Sequence, residues 1–324
     1  MEQKINVNGN ENEDGNGKNR HHLAEINDIS ELTTLRDMYK KDWPENYITY
    51  YSLDNCIRLS EAASSSSAPS TSSDGNDNSS ASGRQQQRYF TVYSVDGDFS
   101  DGTFILFDND EEQSNKILFN SLSDNYDRLM KGLELLDPSR LWYFPSCTKK
   151  LKSVVDLYSI RNQCKYEIDG PTIWYYLPKE TAIKFQVPVR KDVDLKNLTE
   201  KDASTVNEIW PFRYPNSINF VKRLIKNDYS VGAFDSFSGE LMAWVLRCPL
   251  GGLGMLQVKE THYRKGLGRL VVIALSKRLA EDGHDVAAAV LTKNNPSRSL
   301  FKGLGFAEDC ELFWLKRNEE DVVV

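Results

Sequence analysis

One stretch decides how this chain of 324 residues is interpreted: Tyr263-Arg264-Lys265-Gly266-Leu267-Gly268-Arg269. An apolar run, Leu253 to Val258, comes just before it, and a run with helical spacing, Leu267 to Leu279, follows. A strand, a basic turn that contains glycines and a helix start bring backbone N–H groups together at the positive end of a helix dipole. Such a site holds a pyrophosphate. The stretch therefore predicts an anion site at the beginning of a helix.

A second pattern follows downstream, where Asn294-Asn295-Pro296-Ser297 precedes Phe301-Lys302-Gly303-Leu304-Gly305-Phe306. Proline is favoured at the first position of a helix, so this segment predicts a short capped helix. From about residue 187 onward, periodicity and turn signals predict the order β, α, α, β, β, β, α, β, α, β. This order is a mixed α/β pattern and differs from a doubly wound sheet.

Both patterns, in this order, resemble the acyl-CoA-binding core of the GNAT superfamily of N-acetyltransferases over about residues 187–317. In the first half, the segment Leu35-Arg36-Asp37-Met38-Tyr39-Lys40-Lys41-Asp42-Trp43-Pro44 is similar to the opening of glycine N-acyltransferase-like proteins, especially insect members. The resemblance implies an α/β GNAT fold with a mixed central sheet and flanking helices. A C-terminal catalytic half would follow a divergent GNAT-like N-terminal half.

Composition shifts along the chain predict its organisation. Residues 1–25 are polar and predict a disordered tail. Residues 26–186 would form the N-terminal half, in which the Ser/Asn/Gly/Gln-rich tract 61–88 is a disordered insertion. Within that half, residues 30–53 predict a helix and then a strand. Residues 187–324 would form the C-terminal acyltransferase domain.

The resemblance implies acetyl-CoA or another acyl-CoA as cosubstrate and no metal. The pantetheine arm would lie between two splayed parallel strands, Met255–Val258 and Ala288–Leu291, beside main-chain groups of Leu256, Gln257 and Val258. The pyrophosphate would lie on the turn and helix start, and a second contact would come from the next helix. The turn and helix-start residues are Arg264, Lys265, Gly266, Leu267, Gly268 and Arg269, and those of the next helix are Asn295 and Ser299. Asn295 also suits a helix cap, and Ser299 also suits a helix surface.

Two positions depart from the family pattern. Tyr263 stands where the family has Gln or Arg, and Phe301 stands where many relatives have a tyrosine that protonates the leaving thiolate. An amine nucleophile needs a base, and Glu260 and His262 are the candidates because they follow the fourth strand of the expected domain. Both residues also suit an ordinary surface at a strand end. Trp210, Phe212 and Tyr214 would line the acceptor pocket, although core packing explains Trp210 equally well.

The resemblance thus implies an N-acyltransferase that transfers an acyl group from CoA to the amine of a small molecule such as an amino acid. A protein or peptide N-acetyltransferase and a non-catalytic acyl-CoA-binding protein are the alternatives.

Composition narrows the classes of function. The net charge of −7 argues against a general nucleic-acid binder. No apolar run approaches the roughly 18–20 residues that span a bilayer, so we expect no membrane partner. Five scattered cysteines fit a reducing compartment. The N-terminal residues lack an apolar signal core, and their acidic residues disfavour a mitochondrial presequence. We therefore expect a cytoplasmic protein, with the nucleus as the alternative.

Overall fold

The structure, a computed structural model, describes residues 21–65, 89–109 and 115–318. These residues form two compact units. The first unit holds the described residues up to 135 except 115–118, and the second holds residues 115–118 and 136–318.

The first unit contains β1, β2, β3 and residues 119–120 of β4, which belong to a sheet with the strand order β1-β2-β3-β4. Its elements are β1 (Leu23–Glu25), α1 (Ile29–Met38), α2 (Tyr47–Ser65), β2 (Phe90–Val95), β3 (Phe104–Asp108), β4 (Ile117–Asn120) and α3 (Asp127–Glu134). Helix α1 was predicted, and Asp28 caps it by accepting a hydrogen bond from the Ser30 N–H at 2.7 Å. Strand β1 lies inside the expected tail, pairs with β2, and so corrects the end of that tail.

Helix α2 replaces the strand that was expected before residue 53. Its aromatic residues recur at helical spacing: the rings of Tyr47 and Tyr51 lie 4.4 Å apart, and the Trp43 ring packs 5.4 Å from Tyr47. Both tyrosines are buried. The helix continues to Ser65, so residues 61–65 of the expected insertion are helical. Residues 66–88 of that insertion lie outside the described residues, as do residues 1–20 of the tail.

The second unit contains a sheet of nine described strands in the order β5-β13-β7-β12-β11-β10-β9-β8, with β6 paired to β13. Its strands are β5 (Tyr143–Cys147), β6 (Tyr166–Ile168), β7 (Thr172–Leu177), β8 (Val193–Lys196), β9 (Ser230–Asp235), β10 (Leu241–Arg247), β11 (Leu253–Val258), β12 (Val286–Leu291) and β13 (Ala307–Arg317). Its helices are α4 (Lys149–Arg161), α5 (Lys179–Ala182), α6 (Ala203–Ile209), α7 (Ser217–Asn227), α8 (Leu267–Glu281) and α9 (Asn295–Lys302). From β8 to β13 the order of elements matches the order predicted from the sequence.

The expected boundary between residues 186 and 187 does not coincide with the division between the two units. Strand β7 precedes that boundary, yet it pairs with β12 along its whole length, from Thr172↔Leu291 to Leu177↔Val286. Its other edge pairs with β13. Residues before 187 therefore supply an interior strand of the second unit.

Two hydrophobic layers enclose the middle of this sheet. One layer holds α8, whose Val271, Val272 and Leu275 are fully buried against strands β10 to β12. The other holds α6 and α7, where Val206 and Val221 pack with Trp244 of β10. These layers fix β11 between a helix on each face.

Candidate functional site

Strand β11 carries a bulge at its middle. Leu246 pairs with Gly254 and Trp244 pairs with Gln257, so two residues, Met255 and Leu256, lie opposite one residue of β10. Met255 has a positive φ of 50°, which is uncommon for a residue other than glycine. The extra residue sends Met255 towards the α6–α7 layer, whereas Leu256 packs on the α8 side. A bulge of this kind redirects the groups that follow it on the strand.

Strands β11 and β12 are parallel, and in the described structure their register contains one pair, Leu253↔Ala288. Beyond Leu253 the ladder between the two strands ends, while the opposite edge of β11 stays paired with β10. The Lys259 N–H donates to the Met242 carbonyl of β10 at 2.8 Å. Backbone groups of successive strand residues point to opposite edges, so Val258 and Leu256 direct theirs towards β12. These two predicted residues therefore line the gap between β11 and β12, whereas the backbone of Gln257 faces β10.

The predicted anion turn follows this strand after a short 3-10 turn, Glu260–His262. Tyr263 is exposed, Arg264 and Gly266 have φ values of 61° and 75°, and Gly266 lies at the N-terminal cap of α8 without a capping side chain. A Cβ built on Gly266 would meet nothing within 4 Å. The first turn of α8 contains no acidic residue. The turn is thus open to an approaching anion.

The backbone N–H groups of this turn have no partner among the hydrogen bonds of the described residues. They belong to Lys265, Gly266, Leu267, Gly268 and Arg269. The first N–H groups of any helix lack an internal acceptor, and an anion satisfies several of them at once. We call these five residues the anion turn.

The side chains of the anion turn have separate tasks. The Leu267 side chain is buried in the core, so only its backbone reaches the surface. A Cβ on Gly268 would lie 3.3 Å from Val258 Cγ2, so glycine lets α8 approach β11 closely. The Arg269 guanidinium donates to the Gly303 carbonyl at 3.3 Å and thereby ties α8 to the end of α9. The Lys265 and Arg264 side chains are exposed beside the turn.

Arg190 contacts the anion turn, although it was not among the predicted site residues. Its Nη1 donates to the Lys265 carbonyl at 2.7 Å, and its Nε and Nη2 donate to the Asp192 carboxylate at 3.1 and 2.5 Å. Arg190 is separated from the turn by about 75 residues in sequence. No sequence pattern signals it, because only the sheet topology brings the segment before β8 to this place.

Helix α9 follows β12 in the chain, but its cap differs from the expected one. The Asn294 side chain accepts from the Ser297 N–H at 3.2 Å, so Asn294 caps the helix and Asn295 is its first residue. Asn295 and Ser299 are both exposed. Among the described residues, no hydrogen bond joins the Ser299 hydroxyl to β11 or to the anion turn. Both residues therefore remain predictions as contacts of a cosubstrate.

The base candidates do not continue β11. Residues Glu260 to His262 form a 3-10 turn, in which successive side chains rotate by about 120°. Glu260 is exposed, and the half-buried His262 ring lies 2.8 Å from the Thr261 hydroxyl through Nδ1. The pKa of Glu240 is lowered by its bond to Lys259 and, to a smaller degree, by His262. His262 is thus close to the β9–β10 hairpin, and the two candidates point in different directions.

Phe301 is buried and packs against Tyr175 of β7. Its ring stacks 6.0 Å from that of Tyr175, whose hydroxyl donates to Glu308 at 2.7 Å. Lys302 and Arg298 also contact the Glu308 carboxylate, at 2.9 and 3.1 Å. Hydrogen bonds from Lys302, Tyr175 and Arg298 lower the Glu308 pKa to about 2. Phe301 therefore packs in the core and supplies no proton.

The aromatic residues expected at the acceptor pocket lie after α6. Trp210 stacks on Phe220 of α7 at 5.9 Å and packs against Tyr214 at 6.1 Å, whereas Phe212 is 57% exposed. Within the described residues, no group of three or more potential metal ligands occurs. In the same part of the chain, no helix is both long and apolar enough to cross a membrane.

Comparisons with known proteins agree with this geometry. Residues 230–315 match the family model described as FR47-like protein, a segment that runs from β9 into β13 and includes the gap and the anion turn. A comparison with curated proteins finds no match for this chain.

Solved structures match over most of the chain. A Drosophila protein solved by X-ray crystallography is 24% identical, with a TM-score of 0.75 over 91% of this chain and 97% of its own. A tandem GNAT protein from the clavulanic acid biosynthesis pathway is 14% identical, with a TM-score of 0.53 over 92% and 98%. The GCN5-related glucosamine N-acetyltransferase region of a fungal multi-domain β-N-acetylglucosaminidase is 11% identical, with a TM-score of 0.52 over 92% and 38%. With the strand order, the gap beside β11 and the anion turn, these likenesses show that the chain has the fold of the GNAT acetyltransferases.

Proposed function

We propose that this chain is an acyl-CoA-dependent N-acyltransferase that acts on the amine of a small molecule such as an amino acid. One observation carries the proposal: β11 loses its ladder to the parallel strand β12 after Leu253, and the anion turn follows the same strand after the short 3-10 turn Glu260–His262. Acyl-CoA is a thioester on a long arm that contains amides and ends in a pyrophosphate. The amides match the open strand edge, and the pyrophosphate matches the anion turn.

The residues present fit acyl-CoA. Leu256 and Val258 offer backbone donors and acceptors at the open strand edge, as an added strand would require. The anion turn offers five N–H groups that have no partner among the described residues, and Gly266 leaves room for the phosphates to approach. When bound, the cosubstrate supplies an activated acyl group. The protein residues bind it, orient it and accept the proton that the attacking amine loses.

Glu260 is our first choice for the base, directly or through a water molecule. It is exposed at the end of β11, and none of its described contacts ties its carboxylate to another residue. His262 is the second choice, because its ring contacts Thr261 and lies towards the β9–β10 hairpin. The direct attack of an amine on the thioester needs one such group rather than a covalent enzyme intermediate.

The resemblance of Leu35–Pro44 to glycine N-acyltransferase-like proteins supports a small amine as the acceptor. Trp210 and the exposed Phe212 favour an acceptor with an apolar part.

Acyl transfer tests the proposal directly. The full chain is mixed with acetyl-CoA, longer acyl-CoA thioesters and a panel of free amino acids, other amines and lysine peptides, and released CoA thiol is measured. We expect thiol release that depends on a free amine. Transfer to peptides alone would assign a protein acetyltransferase, and tight acyl-CoA binding without any transfer would assign a binding protein; either result rejects the proposal.

A further inference from the structure

The Arg190 side chain is held on both sides. Two of its nitrogens contact the Asp192 carboxylate, and the third contacts the Lys265 carbonyl. The segment that carries it is anchored to the β9–β10 hairpin, where the Ser236 hydroxyl donates to the Lys191 carbonyl at 2.8 Å and the Ser236 N–H donates to the Asp192 carbonyl at 3.2 Å. Arg190 therefore connects the anion turn to a fixed part of the sheet.

The contact with Lys265 has a geometric consequence for Gly266. A trans peptide unit is planar, so the C=O of Lys265 and the N–H of Gly266 point in opposite directions. Because Arg190 holds the carbonyl, the Gly266 N–H is turned away from Arg190. That N–H has no partner among the described hydrogen bonds, and the space around Gly266 is open.

Glycine makes this restraint necessary. Gly266 has a φ of 75°, and glycine populates many backbone conformations at similar energy. Without an external contact the Lys265–Gly266 peptide can rotate and present its carbonyl oxygen, which repels an anion. Asp192 already pairs with the Arg190 charge. Arg190 therefore acts here by orienting the Lys265–Gly266 peptide rather than as a free positive charge.

We infer that Arg190 is a positioning residue that keeps the Gly266 N–H directed at a phosphate of the acyl-CoA cosubstrate. The inference rests on the proposed function. Arg190 would raise the affinity for the pyrophosphate without contacting the adenosine 3′-phosphate or the reacting atoms.

Calorimetry with three ligands tests this role: CoA, 3′-dephospho-CoA and pantetheine, which lacks every phosphate. Arg190→Gln removes the contact with the Lys265 carbonyl. We expect a loss of roughly 10-fold in affinity, of the size of one hydrogen bond to a charged group, for CoA and 3′-dephospho-CoA alike. Pantetheine binding should not change. In turnover, KM for acetyl-CoA should rise while kcat stays near that of the parent.

Lys191→Gln is the matched control, because it removes an equal charge from the neighbouring exposed residue and leaves the Lys265 contact in place. Arg190→Lys keeps the charge and a single donor nitrogen that can bind the Lys265 carbonyl. It should recover part of the affinity, which separates the effect from misfolding. Equal affinity of Arg190→Gln and the parent, a loss restricted to CoA, or an equal loss in Lys191→Gln would each overturn the inference. A parent protein that binds neither CoA nor 3′-dephospho-CoA would instead reject the proposed function.

Discussion

Substitutions at Gly266 test the anion turn, because their effect on backbone strain can be separated from their effect on the access of a phosphate to the turn. Its φ of 75° lies in the left-handed region, which costs a residue with a Cβ about 1–2 kcal/mol. A Cβ there would meet no atom within 4 Å, so Gly266→Ala adds strain without a clash in the core. A loss of about 1–2 kcal/mol corresponds to roughly 2–8 °C in melting temperature for a domain of ~150–250 residues.

The same Cβ would project into the approach to the anion turn. If it keeps the phosphate from one N–H, the lost hydrogen bond to a charged group is worth about 1.5–3 kcal/mol, or roughly 10- to 100-fold in the dissociation constant of CoA. Asn tolerates the left-handed conformation better than Ala, so Gly266→Asn should recover stability but not affinity.

Gly283 supplies the matched control at the other end of α8. Its φ is 86°, and a Cβ there would also meet nothing within 4 Å. Gly283→Ala should therefore lose similar stability and keep the CoA affinity of the parent. Melting curves and calorimetric titration with CoA measure both quantities on folded protein. Equal CoA affinities in Gly266→Ala and Gly283→Ala would refute the site.

Three further outcomes are expected. Glu260→Gln should lower kcat/KM by roughly 10²–10⁴-fold with CoA affinity nearly unchanged, and His262→Gln should be milder; an inactive His262→Gln beside a normal Glu260→Gln would reverse the roles. Gly252→Ala places a Cβ 2.6 Å from Cη2 of the buried Trp174, so chemical denaturation should show a loss of about 1–3 kcal/mol, and an unchanged midpoint would contradict this packing. The folded-state pKa of Glu308 is lowered to about 2, so its carboxylate stabilises the fold at pH values above its ordinary pKa of 4.5, and this stabilisation is lost as the pH falls through 2. The melting temperature of Glu308→Gln should therefore be lower than that of the parent at pH 7. A difference in melting temperature that does not narrow in acid would exclude this carboxylate as its source.

The second unit was largely predictable because its signals are local. Each of three local signals marks an element boundary that the structure contains. The Ser238-Gly239 turn precedes β10, the glycines of the anion turn precede α8, and Pro296 lies at the start of α9. The strand-edge directions of Leu256 and Val258 also follow from alternation along a strand.

Other features depend on contacts that one sequence does not reveal. The residues from Tyr47 to Tyr51 are aromatic and β-branched, which favours a strand locally, yet packing of the tyrosines against Trp43 stabilises a helix. The 3-10 turn after β11 separates Glu260 from His262, where a regular strand would have placed them on one side. Arg190 meets Lys265 only through the sheet.

The position of β13 bears on how the chain folds during synthesis. This strand lies between β5 and β7, and its Leu315 pairs with Phe144. Such pairings between distant residues form slowly, because a long loop must close before any contact is gained. Until the ribosome has released residues near 317, β7 lacks its β13 partner and one edge is left open. A nascent chain that pauses there presents a free strand edge, so we expect it to depend on chaperones until β13 is inserted.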